Sequence, residues 1–348
     1  MAGPERVAGE RAGVLCAGTL LVDQGKTIDA YPARDSLAVI EDITTSTGGA
    51  GLNMAMDLRR LGAEFEIGVL GCVADDAAGD YILAACAEAG VDTAMVKIRP
   101  GATTAFTDVM VERTGGRRTF FWYAGTNADF HAEPSDIAAS NARVLHVGNL
   151  GAHPRMEQRD ERGESGWSVL LASARAAGMH TNLELTSLAP ERLEHLAGHC
   201  LPHLDSVIVN ELEASALTGA AIAAPDVDEP VDWPAMEGLA VGLIERGVAR
   251  LAVVHFPAGS VAATPDGPVQ RQGSVRVPAD MVRSTTGAGD AFAAGVILGL
   301  HAGWPLADGL RLGSAAAAAC VQDAHTSNGI GPAAACLAAA DRFGFRAT

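Results

Sequence analysis

From residue 14 almost to the end of the chain, short apolar runs alternate with Ala/Leu-rich stretches of helical period. The runs at 14–17, 67–71, 144–147, 181–185, 207–209 and 251–254 read as buried strands. The stretches at 52–61, 77–89, 166–177, 190–197, 211–217 and 234–246 read as the helices between them. The last part is mostly helical, at 288–300, 305–321 and 333–342. Fully apolar strands alternating with helices predict an α/β fold: a mostly parallel central sheet with helices on both faces. Two segments break the rhythm, 27–45 and 103–123, which are strand-like with no helix between. The second is divided by Thr114-Gly115-Gly116, glycines between β-formers, and so predicts a hairpin. Together the two segments suit a small β-sheet lid inserted at about 24–47 and 101–125 of one domain spanning 12–345. Residues 1–11 are a polar tail without an apolar signal core, and 225–234 is an acidic, Pro-rich loop.

Composition narrows the partners. The 348 residues carry 25 Lys+Arg against 42 Asp+Glu, a net charge of −17. That excludes the basic face needed for nucleic acid and disfavours anionic membrane surfaces. No apolar stretch approaches the roughly 20 residues of a membrane span. The six cysteines are scattered without a C-x-x-C pair, so neither a zinc module nor a disulfide scaffold is expected. A cytoplasmic protein with a small-molecule substrate is the expectation. The 40 glycines suit close helix packing and backbone that must approach a ligand.

The sharpest local signal is Ser284-Thr285-Thr286-Gly287-Ala288-Gly289-Asp290, a glycine turn opening a helix. Free backbone N–H groups at a helix start make an anion site. Asp290 is then either a first-turn acid or a general base beside that site, and the local pattern leaves both open. Gly48-Gly49-Ala50-Gly51-Leu52-Asn53 also runs into a helix, as a tight turn with a capping Asn or as a backbone cradle for hydroxyls. Asn210 and Glu213 follow a buried strand, where they suit an N-cap or Mg²⁺ waters and phosphate oxygens. His195 and His199 stand four apart but lack a third ligand, so no metal is assigned there. Walker-type, dinucleotide-fold and hydrolase motifs are absent.

Taken together and in this order, these motifs resemble the ribokinase-like (PfkB) carbohydrate kinase family. The glycine run at 48–53 resembles its N-terminal signature, Thr285–Phe292 its C-terminal signature, and Asn210 with Glu213 its N-x-x-E motif. The resemblance implies a βαβ sandwich with a β-lid and transfer of the ATP γ-phosphoryl to a sugar hydroxyl. It implies Asp290 as the base, and the amides of Gly287, Ala288 and Gly289 as the hole for the transferring group. Asp23, Gly48, Gly49 and Asn53 would bind the acceptor. Asn210, Thr286, Gly259, Asn328 and Gly329 would serve the nucleotide, and Glu213 would hold Mg²⁺ through water. ATP and Mg²⁺ are the implied cofactors; Ser284 stands where the family commonly has an Asp that helps hold K⁺, which leaves K⁺ activation open. Lid pairing implies a homodimer. Asn182-Leu183-Glu184 also departs from the polar pair of many sugar kinases. A nucleoside kinase and a non-catalytic sugar-binding protein are the alternatives.

Overall fold

The computed structural model describes residues 11–114, 117–186, 188–223, 227, 230–323 and 328–348. The glycines of the expected hairpin turn, residues 225, 226, 228 and 229 of the acidic loop, residues 1–10 of the tail and residues 325–327 of the late loop lie outside them. Arg11 is anchored, donating to the carbonyls of Ala177, Ser140 and Ala142.

The described strands are β1 Val14–Gly18, β2 Leu21–Ile28, β3 Ile40–Gly48, β4 Ile67–Ala74, β5 Val96–Arg99, β6 Phe106–Glu112, β7 Arg118–Tyr123, β8 Val144–Gly148, β9 His180–Leu183, β10 Ser206–Asn210, β11 Leu251–Phe256, β12 Gly259–Ala263 and β13 Gln270–Gly273. The helices are α1 Ala50–Arg60, α2 Ala77–Ala89, α3 Pro134–Ala139, α4 Pro154–Glu157, α5 Gly166–Ala176, α6 Pro190–Ala197, α7 Glu211–Thr218, α8 Trp233–Glu245, α9 Ala288–Ala302, α10 Leu306–Cys320 and α11 Ala333–Phe343. The six strands and nine helices read from the alternation are present, with ends shifted by at most three residues, whereas only the two ends of the strand-like segment 27–45 fall in strands, β2 and β3, and 29–39 lies outside both.

One sheet has nine strands in the order β13-β12-β11-β10-β9-β8-β1-β4-β5. Its seven strands from β11 to β5 are parallel, and β12 and β13 extend it antiparallel. The alternation along β1 shows why both faces need cover. Leu15 and Ala17 join a core with Trp167 of α5 and Leu239 of α8, whereas Val14 and Cys16 join a second core with Leu52 of α1 and Phe292 of α9. Burying both faces is what makes the strands read as continuous apolar runs. Small residues then let α9 and α10 approach closely. A Cβ at Gly295 would come within 2.6 Å of Gly313 Cα.

The second sheet has the order β3-β2-β6-β7. It joins the two segments that broke the rhythm, and its central pair, β2 with β6, is parallel. Among the described residues no helix is long and apolar enough to cross a membrane. All six cysteines are buried, and none is in a disulfide.

Candidate active site

The carboxyl ends of β8, β9, β10 and β11 open into a cavity of about 1550 Å³, with the small sheet across it. Such an edge is the usual ligand crevice of a parallel sheet. The volume exceeds the roughly 300–1,000 Å³ of a single small-molecule pocket, so it has room for two substrates together.

Helix α9 points its N-terminus into this cavity. Gly287 is the N-cap with φ 83°, a left-handed conformation that a side chain would strain, and no side chain caps the helix. The Ala288 N–H turns back to Thr285 O at 3.3 Å, while the first-turn amide of Gly289, which lines the cavity, is available to an anion. Asp290 sits on that first turn, and Asn53 Nδ2 donates to its Oδ2 at 2.6 Å. Asn53 comes from α1, whose N-cap Gly49 has φ 97° and leaves no room for a side chain against Thr19. Residues 237 positions apart therefore meet because two glycine turns start two helices at one edge of the sheet.

Asp23 enters from β2 of the lid. Register pairs it with Ser46 on β3 and Thr107 on β6, and Thr107 with Trp122 on β7. Side chains alternate across a strand, so Asp23, Thr107, Arg118, Phe120 and Trp122 share the face over the cavity. Thr107 hydrogen-bonds Asp23, but burial, reinforced by the nearby Asp290 charge, pushes the Asp23 carboxyl up to about 6. Gly48 keeps this carboxylate in place, since a Cβ there would fall 2.2 Å from Asp23 Oδ2. Arg118 NH1 donates to Thr286 Oγ1 at 3.1 Å, linking the lid to the turn before α9.

On the other side, Asn210 and Glu213 cap α7 reciprocally. Glu213 N–H donates to Asn210 Oδ1 at 2.8 Å and Asn210 N–H to Glu213 Oε2 at 3.0 Å. Both also line the cavity, and burial pushes the Glu213 carboxyl up to about 7. Among the described residues no cluster of three or more His, Cys, Asp or Glu could cage a metal by itself. A cavity-facing carboxylate beside an anion site still fits Mg²⁺, which keeps its waters and shares substrate phosphates rather than needing a protein cage. Gly259 and Thr286 line the cavity. Asn328 and Gly329 do not stand among the lining residues, and the Asn328 side chain accepts from Arg60 NH2 at 3.1 Å instead. Ser284 accepts from the Thr286 N–H at 3.1 Å and is buried.

Against known proteins, the model of the pfkB family carbohydrate kinases matches residues 13–332. The chain belongs to the pfkB carbohydrate kinase family. It is 25% identical over 325 residues to a 5-dehydro-2-deoxygluconokinase of Shouchella clausii, covering 92% of each chain. It is 30% identical over 308 residues to an acarbose 7(IV)-phosphotransferase of an Actinoplanes species, covering 87% of this chain and 89% of that one. Among solved structures, an Arabidopsis thaliana ribokinase complexed with ribose and ATP superposes with a TM-score of 0.76 at 21% identity, covering 95% and 99%. This pfkB kinase is a phosphotransferase acting on an alcohol group, and its fold is the ribokinase fold.

The cavity of this family member thus gathers Asp290, Gly287, Ala288, Gly289, Asp23, Gly49, Asn53, Asn210, Glu213, Gly259 and Thr286, with Gly48 behind Asp23. Reading the sequence missed Glu184, Arg118, Phe120 and Trp122. Alternation at 118, 120 and 122 was a usable signal for the lid residues once Asp23 was placed. Glu184 offered only its position after β9, where its N–H extends the ladder to Val147 O at 2.9 Å.

Proposed function

We propose that this carbohydrate kinase transfers the γ-phosphoryl of ATP to a hydroxyl of a sugar, with Asp290 as the general base. The observation that carries the reading is the contact of Asn53 with Asp290 at the open N-terminus of α9. One carboxylate oxygen is held by an amide. The carboxylate keeps lone pairs for a hydroxyl proton, beside amides suited to the charge of the transferring group.

Asp23 and Asn53 accept from and donate to the acceptor's hydroxyls, while Phe120 and Trp122 offer it apolar ring faces. Arg118 and the amides of Ala288 and Gly289 meet the phosphates; the partial charge of the amides is absent from any count of lysines and arginines. Glu213, with Asn210, would hold Mg²⁺ through water, and Mg²⁺ when bound neutralises charge on the phosphates. The lid excludes water from the reacting groups. These residues do little covalent work; they orient and hold charge.

Sugar is favoured over nucleoside by the relatives' names, a deoxygluconokinase and an acarbose phosphotransferase among them. The lid's outer face carries exposed Ile43, Phe121 and Tyr123, an apolar patch suited to the same face of a second copy. Incubating the purified chain with ATP, Mg²⁺ and a set of sugars and nucleosides tests the reading. A sugar phosphate forming with ADP supports it, and turnover of nucleosides alone overturns the sugar assignment.

A further inference from the structure

A second carboxyl group meets Asp290. Glu184 follows β9 into the cavity, is 5% exposed, and lines it beside Asp290. Two carboxyl groups can share a hydrogen bond only if one of them carries the proton.

Everything around Glu184 favours its neutral form. The acids facing it are Asp290 from α9, Glu213 from α7 and Asp57 from α1, and each raises it further beyond the effect of burial. Cys16 from β1 faces it too, and burial together with Glu184 keeps that thiol protonated. From β8, His146 Nε2 stands 3.5 Å from Glu184 Oε2. His146 is fully buried, and burial brings its ring down to about 3, so it is uncharged. No group in this set supplies a positive charge to hold two carboxylates side by side.

The tautomer of His146 is fixed by a buried chain. Ser206 Oγ donates to Asn182 Oδ1 at 2.7 Å, which turns Asn182 Nδ2 toward His146 Nδ1 at 2.9 Å. Nδ1 is therefore an acceptor, and the ring proton lies on Nε2, the nitrogen that faces Glu184. Neither His146 Nε2 nor Glu184 Oε2 has a hydrogen-bond partner among the described residues, so the two buried polar atoms face each other at 3.5 Å. The chain thus ends in an N–H presented to one Glu184 oxygen, which leaves the Glu184 proton for Asp290.

We propose that Glu184 is a positioning residue for Asp290: a neutral carboxyl, facing His146 Nε2, that donates its O–H to the Asp290 carboxylate. With Asn53 donating to the same group, Asp290 is fixed from two sides, and its charge is retained for the acceptor. The inference rests on the reading of Asp290 as the base.

Glu184→Gln keeps a donor of the same shape, whereas Glu184→Leu keeps only the volume. The expected kcat of Glu184→Leu is about 10- to 100-fold below wild type, the worth of a hydrogen bond to a charged group. Glu184→Gln is expected to lie at least about tenfold above Glu184→Leu, with the acceptor KM similar in both. As pH rises, ionisation of Glu184 removes the donor and sets a like charge beside Asp290, so wild-type kcat falls on the alkaline side. Glu184→Gln lacks that limb.

Infrared difference spectra of wild type minus Glu184→Gln at pH 7.5 read the proton without any turnover. A protonated-carboxyl C=O band in wild type supports the inference, and its absence overturns it. Equal kcat in the two Glu184 variants, with Asp290→Asn inactive, overturns the inference and leaves Asp290 as the base. Activity retained in Asp290→Asn removes the base that Glu184 would position and overturns both.

Discussion

Asn53 Nδ2 lies 2.6 Å from Asp290 Oδ2, so that helix α1 and helix α9 meet in one hydrogen bond at the edge of the sheet. Removing the carboxylate should lower kcat of Asp290→Asn by about 10²- to 10⁴-fold, the usual worth of a general base. Acceptor affinity, read by calorimetry, should change little. Asn53→Leu should lower kcat by about 10- to 100-fold, since Asp290 is then free to turn.

Asp23 carries a prediction with opposite signs for function and stability. Burial pushes its carboxyl from 3.8 up to about 6. The folded protein therefore binds the proton more tightly than the unfolded chain, and stability falls as pH rises from about 4 to about 6 and stays lower above that. Asp23→Asn should then raise Tm at pH 7.5, with an upper bound of about 3 kcal/mol. The same variant should raise the acceptor KM by about 10- to 100-fold. In wild type, KM should climb as pH drops through about 6. A parallel pair of thermal melts and pH–KM series checks both signs.

Gly48→Ala offers an independent check on that carboxylate. Its methyl group would fall 2.2 Å from Asp23 Oδ2 and must displace it. The acceptor KM should rise as in Asp23→Asn, but Tm should fall, because the backbone and Asp23 are forced apart.

Arg118 reaches from β7 to Thr286 Oγ1 at 3.1 Å. Arg118→Ala should lose this latch and a positive charge near the phosphates. We expect a kcat reduced about tenfold or more and a larger share of ATP hydrolysed without transfer, as water enters beneath the lid. Simultaneous assays of ADP and sugar phosphate measure the uncoupling.

Phe121 lies on the outer face of the lid and is exposed, as are Ile43 and Tyr123. Phe121→Asp should convert a dimer into a monomer in sedimentation velocity while Phe120 and Trp122 keep their cavity face. A wild-type chain that sediments as a monomer at high concentration would contradict pairing through the lid.

The parts of this fold legible in the sequence are those that one face or one period determines. Strands buried on both faces, such as β1 and β10, stand out as unbroken apolar runs, and α2 is bounded by its Asp76 cap and left-handed Gly90. Strands β5, β12 and β13 were not legible. β5 is largely exposed and carries Lys97 and Arg99, while β12, Gly-Ser-Val-Ala-Ala, has the small residues of a loop or a helix.

At the site, Asp290, Asn53, Glu213 and Asp23 were readable because glycine turns or strand ends mark their positions. Asn328 and Gly329 were expected at the nucleotide, but Asn328 instead meets Arg60. Glu184 was not readable as a site residue, because its chemistry depends on His146 and Asp290, which lie 38 residues before it and 106 after it in the chain. Only folding creates that environment.

The most direct measurement is acceptor phosphorylation by the purified chain and by Asp290→Asn, followed by ³¹P NMR with ATP, Mg²⁺ and a panel of sugars and nucleosides. Wild type should yield a sugar phosphate in step with ADP, and Asp290→Asn should bind the same sugar while yielding almost none. Sugar bound by wild type without phosphate transfer to any acceptor, or equal transfer by the two proteins, would contradict Asp290-dependent phosphoryl transfer to a sugar.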